Sequence, residues 1–117
     1  MPMSLVQIAF LMLVAGAGGG LLFTTLIAMK KRYTRWFGKG HGLLGLSALG
    51  VLGYALLEAD AAVSPTAWWS LGLLCMAWCG GLLLFRVVRP KVRPLLLAFM
   101  HGSIALAGLY LLYQVAF

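Results

Sequence analysis

A chain of 117 residues that is 63% hydrophobic and only 9% charged cannot hide its apolar side chains inside a water-soluble domain of this size. That composition excludes an ordinary aqueous fold and points to the bilayer as solvent, with the chain as a single membrane domain over 1–117. The net charge of +7 does not signal nucleic acid, because all nine Lys and Arg fall in two short segments, 30–39 and 86–93, that interrupt apolar runs. Basic clusters so placed mark cytoplasmic loops facing anionic lipid, and no basic surface remains for a nucleic-acid partner.

The first apolar run, 4–29, is long enough to cross a bilayer with some tilt. It lacks the basic start and short apolar core of a cleaved signal peptide, so it reads as a retained span whose N-terminus lies outside the cytoplasm. Within it, Gly16 and Gly20 have GxxxG spacing, which suits close helix packing or, alternatively, a groove for a flat ligand. The basic loop 30–39 carries Tyr33, Trp36 and Phe37, aromatics at home at headgroup depth.

The second span is expected over 35–57. The connection 58–66 holds both acids, Glu58 and Asp60, and no cation, which places it on the outer side. The third span is expected over 67–86, with Trp68 and Trp69 at its outer interface. Cys75 and Cys79 lie one turn apart inside it; core packing is favoured over metal binding, since a tetrahedral site needs four ligands. A second basic loop precedes Pro94, which suits the first position of a helix. The fourth span, 94–117, reaches the end of the chain, and no soluble domain is expected.

Span, basic loop, His-Gly, span: the pattern occurs twice. Shifting the chain by 60 residues sets His41-Gly42 on His101-Gly102 and Thr34, a good N-cap residue, on Pro94. The expected fold is therefore all-α: a polytopic antiparallel bundle of four transmembrane helices with a two-fold internal repeat, units 1–58 and 59–117. Each histidine then falls about 10 Å from the start of its helix, below the headgroups on the cytoplasmic side.

His41 and His101 are the only histidines. Positions three, four and seven away share a helical face. Around His41 that face holds Gly38, Gly45 and Ala48; around His101 it holds Ala98, Ala105 and Gly108. Two such faces turned toward each other would oppose two imidazoles across a slot walled by small residues. That suits a flat macrocycle with iron at its centre, haem b with axial His41 and His101. Arg35, Lys39 and Arg93 are the nearest cations for its propionates. The competing reading is two polar residues gluing helices together, but a histidine within a span is by default a functional candidate.

With these residues in view, the chain resembles membrane b-type cytochromes of the four-helix kind, the cytochrome b561-like proteins and the anchors of succinate dehydrogenase. In the b561 type, haem is held by His on the second and fourth helices of the core bundle, and His41 and His101 fall on the second and fourth spans. The resemblance is architectural and covers the whole chain. The first and third spans lack the second His pair of that type, so one haem near the cytoplasmic side is implied.

No Asp or Glu lies within an expected span, which weighs against a proton-coupled antiporter, and no Ser sits near a His–acid arrangement. The expected function is electron transfer by one bis-His haem, exchanging with a quinone or a redox partner subunit, in a protein of the bacterial inner membrane with both termini outside the cytoplasm. Partners are the lipid bilayer and partner subunits or further copies of the chain. The alternative is a cofactor-free structural or assembly subunit of a larger membrane complex.

Overall fold

A computed structural model describes residues 3–32, 34–59, 62–87 and 94–117. Four helices follow in order: α1 Leu5–Ala28, α2 Arg35–Leu57, α3 Pro65–Val87 and α4 Leu95–Ala116. At 22–24 residues each, all four are long and apolar enough to span a membrane. Large apolar side chains such as Leu21, Leu43, Leu83, Leu96 and Phe99 stand on the outside of the bundle. That surface suits a lipid solvent and is unsuited to water.

The helix starts follow local chemistry. Ser4 caps α1 in a reciprocal box: its hydroxyl accepts from the Gln7 amide at 3.2 Å while the Gln7 side chain accepts from the Ser4 amide at 3.1 Å. α3 begins two residues earlier than the expected 67, because Pro65 takes the first helical position, where its missing N–H removes no bond. The Ser64 hydroxyl then accepts from the Ala67 amide at 3.4 Å. Thr34 is the N-cap of α2 in extended conformation, but its side chain makes no capping bond. Pro94 occupies the N-cap of α4 rather than its first turn, so the helix opens at Leu95. α1 ends in a Schellman arrangement: Lys31 N–H donates to the Leu26 carbonyl at 2.9 Å and Lys30 N–H to the Ile27 carbonyl at 3.2 Å.

Among the described residues, α1 packs on α2, α2 on α3, α3 on α4 and α4 on α1, while α2 and α4 face each other across a diagonal. Each side of this square has an identifiable tie. Phe23 stacks on Phe37 between α1 and α2, at 5.6 Å between centroids. The Trp78 indole N–H of α3 donates to the Gly42 carbonyl of α2 at 2.9 Å. The Ser70 hydroxyl of α3, fully buried, donates to the Gly108 carbonyl of α4 at 2.9 Å. The Gln7 amide of α1 donates to the Ala116 carbonyl at 3.1 Å, beside a cluster of Phe10, Tyr113 and Phe117 rings.

The two halves of the bundle are filled differently. The contiguous core of Ala9, Leu49, Leu52, Leu56, Leu74 and Leu112 sits in the half away from the basic segments. The other half carries His41 and His101 on the α2 and α4 sides, and the glycine pairs of α1 and α3. Expected core packing is corrected at Cys75 and Cys79: both thiols are free and lie on the exposed face of α3.

Candidate functional site

Each histidine is the seventh residue of its helix, six beyond Arg35 in α2 and six beyond Leu95 in α4. At 1.5 Å per residue both therefore stand about 9 Å from their helix starts. Since α2 and α4 run in the same direction, the two imidazoles reach the same level. They meet across the diagonal: the ring centroids are 6.2 Å apart and the ring planes 76° apart.

The backbone of the preceding helix makes room for each ring. A Cβ on Gly20 of α1 would fall 3.1 Å from His41 Cε1, and one on Gly19 would fall 3.8 Å from its Nδ1. A Cβ on Gly81 of α3 would fall 3.0 Å from His101 Cε1. A side chain at Gly20 or Gly81 would crowd the imidazole, so glycine at these two positions is what lets the ring come so close to the neighbouring helix; at Gly19 a Cβ would make only an ordinary contact. Gly20 was singled out from its GxxxG spacing; Gly81 was not. The signal that reveals it is a shift of 61 residues, which sets Gly19-Gly20 on Gly80-Gly81.

The hydrogen bonds of the two rings differ. His101 Nδ1 lies 2.8 Å from the Ala77 carbonyl oxygen. A carbonyl only accepts, so in this contact Nδ1 is the donor. His41 Nδ1 is buried and makes no hydrogen bond of ordinary geometry among the described residues, while the Gly16 backbone is close enough to interact with the ring. No side-chain pattern could have disclosed the Ala77 carbonyl, since every residue offers one.

The expected walls of the site are largely committed to helix packing. A Cβ on Gly38 would fall 2.8 Å from Phe85 Cε2, and one on Gly45 would fall 3.3 Å from Trp78 Cδ1. A Cβ on Gly108 would fall 2.8 Å from Leu74 Cγ. These three glycines admit α3 side chains rather than line an open slot between α2 and α4. Ala48 and Ala98 are buried and Ala105 half-buried. Of the expected anion-binding cations, Arg35 and Lys39 are exposed in the first two turns of α2. Lys39 Nζ stands 4.7 Å over the Trp36 ring, a cation–π contact at the basic end of the bundle. Arg93 lies outside the described residues, as does Asp60.

Among the described residues, no group of three or more His, Cys, Asp or Glu comes together that could hold a metal ion on its own. No known protein-family model, curated protein or solved structure matches the chain.

Proposed function

We propose that this chain is a membrane-embedded b-type haem protein that carries electrons, with His41 and His101 as the two axial ligands. The carrying observation is the meeting of the only two imidazoles at one level across the α2–α4 diagonal, 6.2 Å between centroids. Two nitrogens bound to one metal at about 2 Å each, plus the ring radius on either side, give a centroid spacing of about 6 Å. Axial rings turn freely about the metal–nitrogen bond, so the 76° between their planes is compatible with such a pair.

The donor set also favours a macrocycle over a bare ion. Zinc or copper would need about four ligands from the protein. A porphyrin brings four nitrogens of its own and asks for two imidazoles, which is what this half of the bundle holds. The bound group supplies one-electron chemistry at its iron. The protein's part is to hold and orient the imidazoles and to keep water away from them. Arg35, Lys39 and Arg93 are the candidate partners of the propionates. In this reading the pseudo-two-fold repeat relates the hairpins α1–α2 and α3–α4, and the basic end faces the cytoplasm of a bacterial inner membrane. Exchange then occurs there with a quinone or a redox subunit, within reach of a single centre placed about 9 Å deep.

A reduced-minus-oxidised absorption spectrum of the purified protein, expressed with ample haem, tests this. Sharp α and β bands of a low-spin b-type centre, lost in His41→Ala or His101→Ala, are the expected result. A preparation without haem overturns it.

One observation favours a second reading, a cofactor-free structural subunit of a larger membrane complex: Phe85, Trp78 and Leu74 already fill the notches at Gly38, Gly45 and Gly108. In that case His41→Ala and His101→Ala change thermal stability by no more than an ordinary loss of packing, and no chromophore is present to lose.

A further inference from the structure

Cations gather where α2 and α3 meet at the basic end of the bundle. The two helices run antiparallel, so the start of α2 and the end of α3 stand at one level. Phe85 fixes their approach there, since a Cβ on Gly38 would fall 2.8 Å from its ring. The positions Arg35, Gly38, Gly42 and Gly45 follow one another at helical spacing, and the last three meet Phe85 or Trp78 of α3. Arg35 therefore stands at the head of the α3-facing stripe of α2, with Lys39 beside it. Arg86 follows Phe85 in α3. All three cations are exposed.

The fold supplies these charges with no counter-ion. Glu58, the one acid among the described residues, closes α2 at its far end, about 28 Å along the helix from Lys39. Arg35 and Lys39 are also like charges four residues apart, a pairing that destabilises a helix until an anion offsets it. Trp36, 77% exposed and carrying Lys39 Nζ 4.7 Å from its ring centroid, sets this end at headgroup depth. Below the cations the seam is apolar. Among the described residues α2–α3 is the most thinly packed side of the square, and Leu82 and Phe85 are partly open to the outside.

We infer that this end of the α2–α3 seam binds one anionic phospholipid, its phosphate held between Arg35, Lys39 and Arg86 and an acyl chain lying against Phe85 and Leu82. The guanidinium forks offer paired N–H donors to phosphate oxygens, and the lysine offers a point charge. A headgroup with a cation of its own is disfavoured, because its ammonium meets three like charges. The general attraction of a basic loop for anionic lipid spreads over every cation at this end; here the contact belongs to one seam. The site stands on the outside of the bundle and is filled from the bilayer, so it does not depend on the haem reading.

Each cation at a membrane surface strengthens binding of anionic lipid by roughly fivefold. The experiment titrates the full chain in detergent with phosphatidylglycerol or phosphatidylcholine of the same acyl chains and counts lipids bound per chain by native mass spectrometry. The first phosphatidylglycerol is expected to bind at least about tenfold more tightly than phosphatidylcholine. Combining Arg35→Gln, Lys39→Gln and Arg86→Gln should weaken it at least about tenfold, while Lys30→Gln, Lys31→Gln and Arg32→Gln together, the same change in charge, should weaken it less than about threefold. Equal losses in the two triple variants would mean a diffuse basic surface and overturn the site. Equal affinity of the wild type for the two lipids also overturns it, and that comparison needs no variant to fold. Free glycerol phosphate should not displace the lipid at matching concentration; displacement would reassign the seam to a soluble anion and overturn the lipid assignment.

Discussion

Trp78 of α3 reaches across to α2 and donates its indole N–H to the carbonyl of Gly42, 2.9 Å away, one residue beyond His41. In a helix that oxygen already lies in the i+4 ladder, so the indole is a second donor to it. The same indole ring lies over Gly45, where a Cβ would sit 3.3 Å from Trp78 Cδ1. The contact fixes how closely α3 approaches the histidine-bearing stretch of α2. Trp78→Phe keeps an aromatic ring near Gly45 but removes the donor together with part of the ring volume. It is expected to destabilise the protein by at least about 1 kcal/mol, the ordinary net value of one hydrogen bond, with the lost packing added to it. The thermal midpoint in detergent reads this, and an unchanged midpoint would show that the bond contributes nothing.

Gly108 and Gly50 are both mid-helix glycines, and they should respond in opposite directions to alanine. At Gly108 the new methyl would lie 2.8 Å from Leu74 Cγ and 3.2 Å from Leu73 Cβ. Leu74 is buried, and the clashing atom is the branch carbon, not a free end, so α3 and α4 must move apart. The Ser70–Gly108 hydrogen bond would be stretched with them. A loss of about 1–3 kcal/mol is expected for Gly108→Ala. At Gly50 a Cβ meets nothing within 4 Å. There the intrinsic preference of alanine for helix prevails, and Gly50→Ala is expected to gain up to about 1 kcal/mol. Midpoints that shift in the same direction for both variants would contradict this account of the α3–α4 seam.

The four long apolar helices and their order were legible because apolar run length is a coarse signal that needs no tertiary knowledge. The level of His41 and His101 was legible for the same reason, since depth follows from counting along a helix. The walls were not. Gly38, Gly45 and Gly108 share a helical face with a histidine, but each notch is filled by a side chain of α3, and a single-helix pattern does not say which neighbour fills it. Cys75 and Cys79 failed in a related way. In a membrane chain apolar residues occupy both faces, so small hydrophobes carry no inward signal, and both cysteines lie on the outside. The Pro65 start of α3 could have been read from proline's preference for the first helical position, which the expected start at 67 passed over.

Both cysteines lie near the middle of the 23-residue α3, on its exposed face. If α3 spans the bilayer, these thiols face acyl chains at mid-depth. Neither a membrane-permeant maleimide nor a charged, impermeant one should then label them readily in intact vesicles, because the reactive thiolate does not form among acyl chains; labelling should appear once the membrane is dissolved and the protein unfolded. Cys75→Ala with Cys79→Ala should leave stability within about 0.5 kcal/mol of the parent, the usual range for substitutions away from a packed core. Rapid labelling by the impermeant reagent in intact vesicles would place α3 in contact with water and count against the membrane-spanning arrangement.

Lys30 is the one non-glycine residue with positive φ among the described residues, at 56°. It follows the C-cap Met29 and sits where a Schellman arrangement most often has glycine. The left-handed conformation brings Cβ against the following carbonyl and costs about 1–2 kcal/mol for a residue with a side chain. The charge of Lys30 lies just past the C-terminus of α1, where a cation is favoured by the helix dipole. Two substitutions separate strain from charge. Lys30→Ala and Lys30→Gly both remove the cation, but only glycine removes the Cβ. Lys30→Gly is therefore expected to be more stable than Lys30→Ala by about 1 kcal/mol after allowing for glycine's greater freedom in the unfolded chain. Thermal midpoints of the two variants in the same detergent measure the difference directly. Equal midpoints would mean that the turn after α1 relaxes to negative φ at no expense, and that the left-handed residue is not what ends the helix.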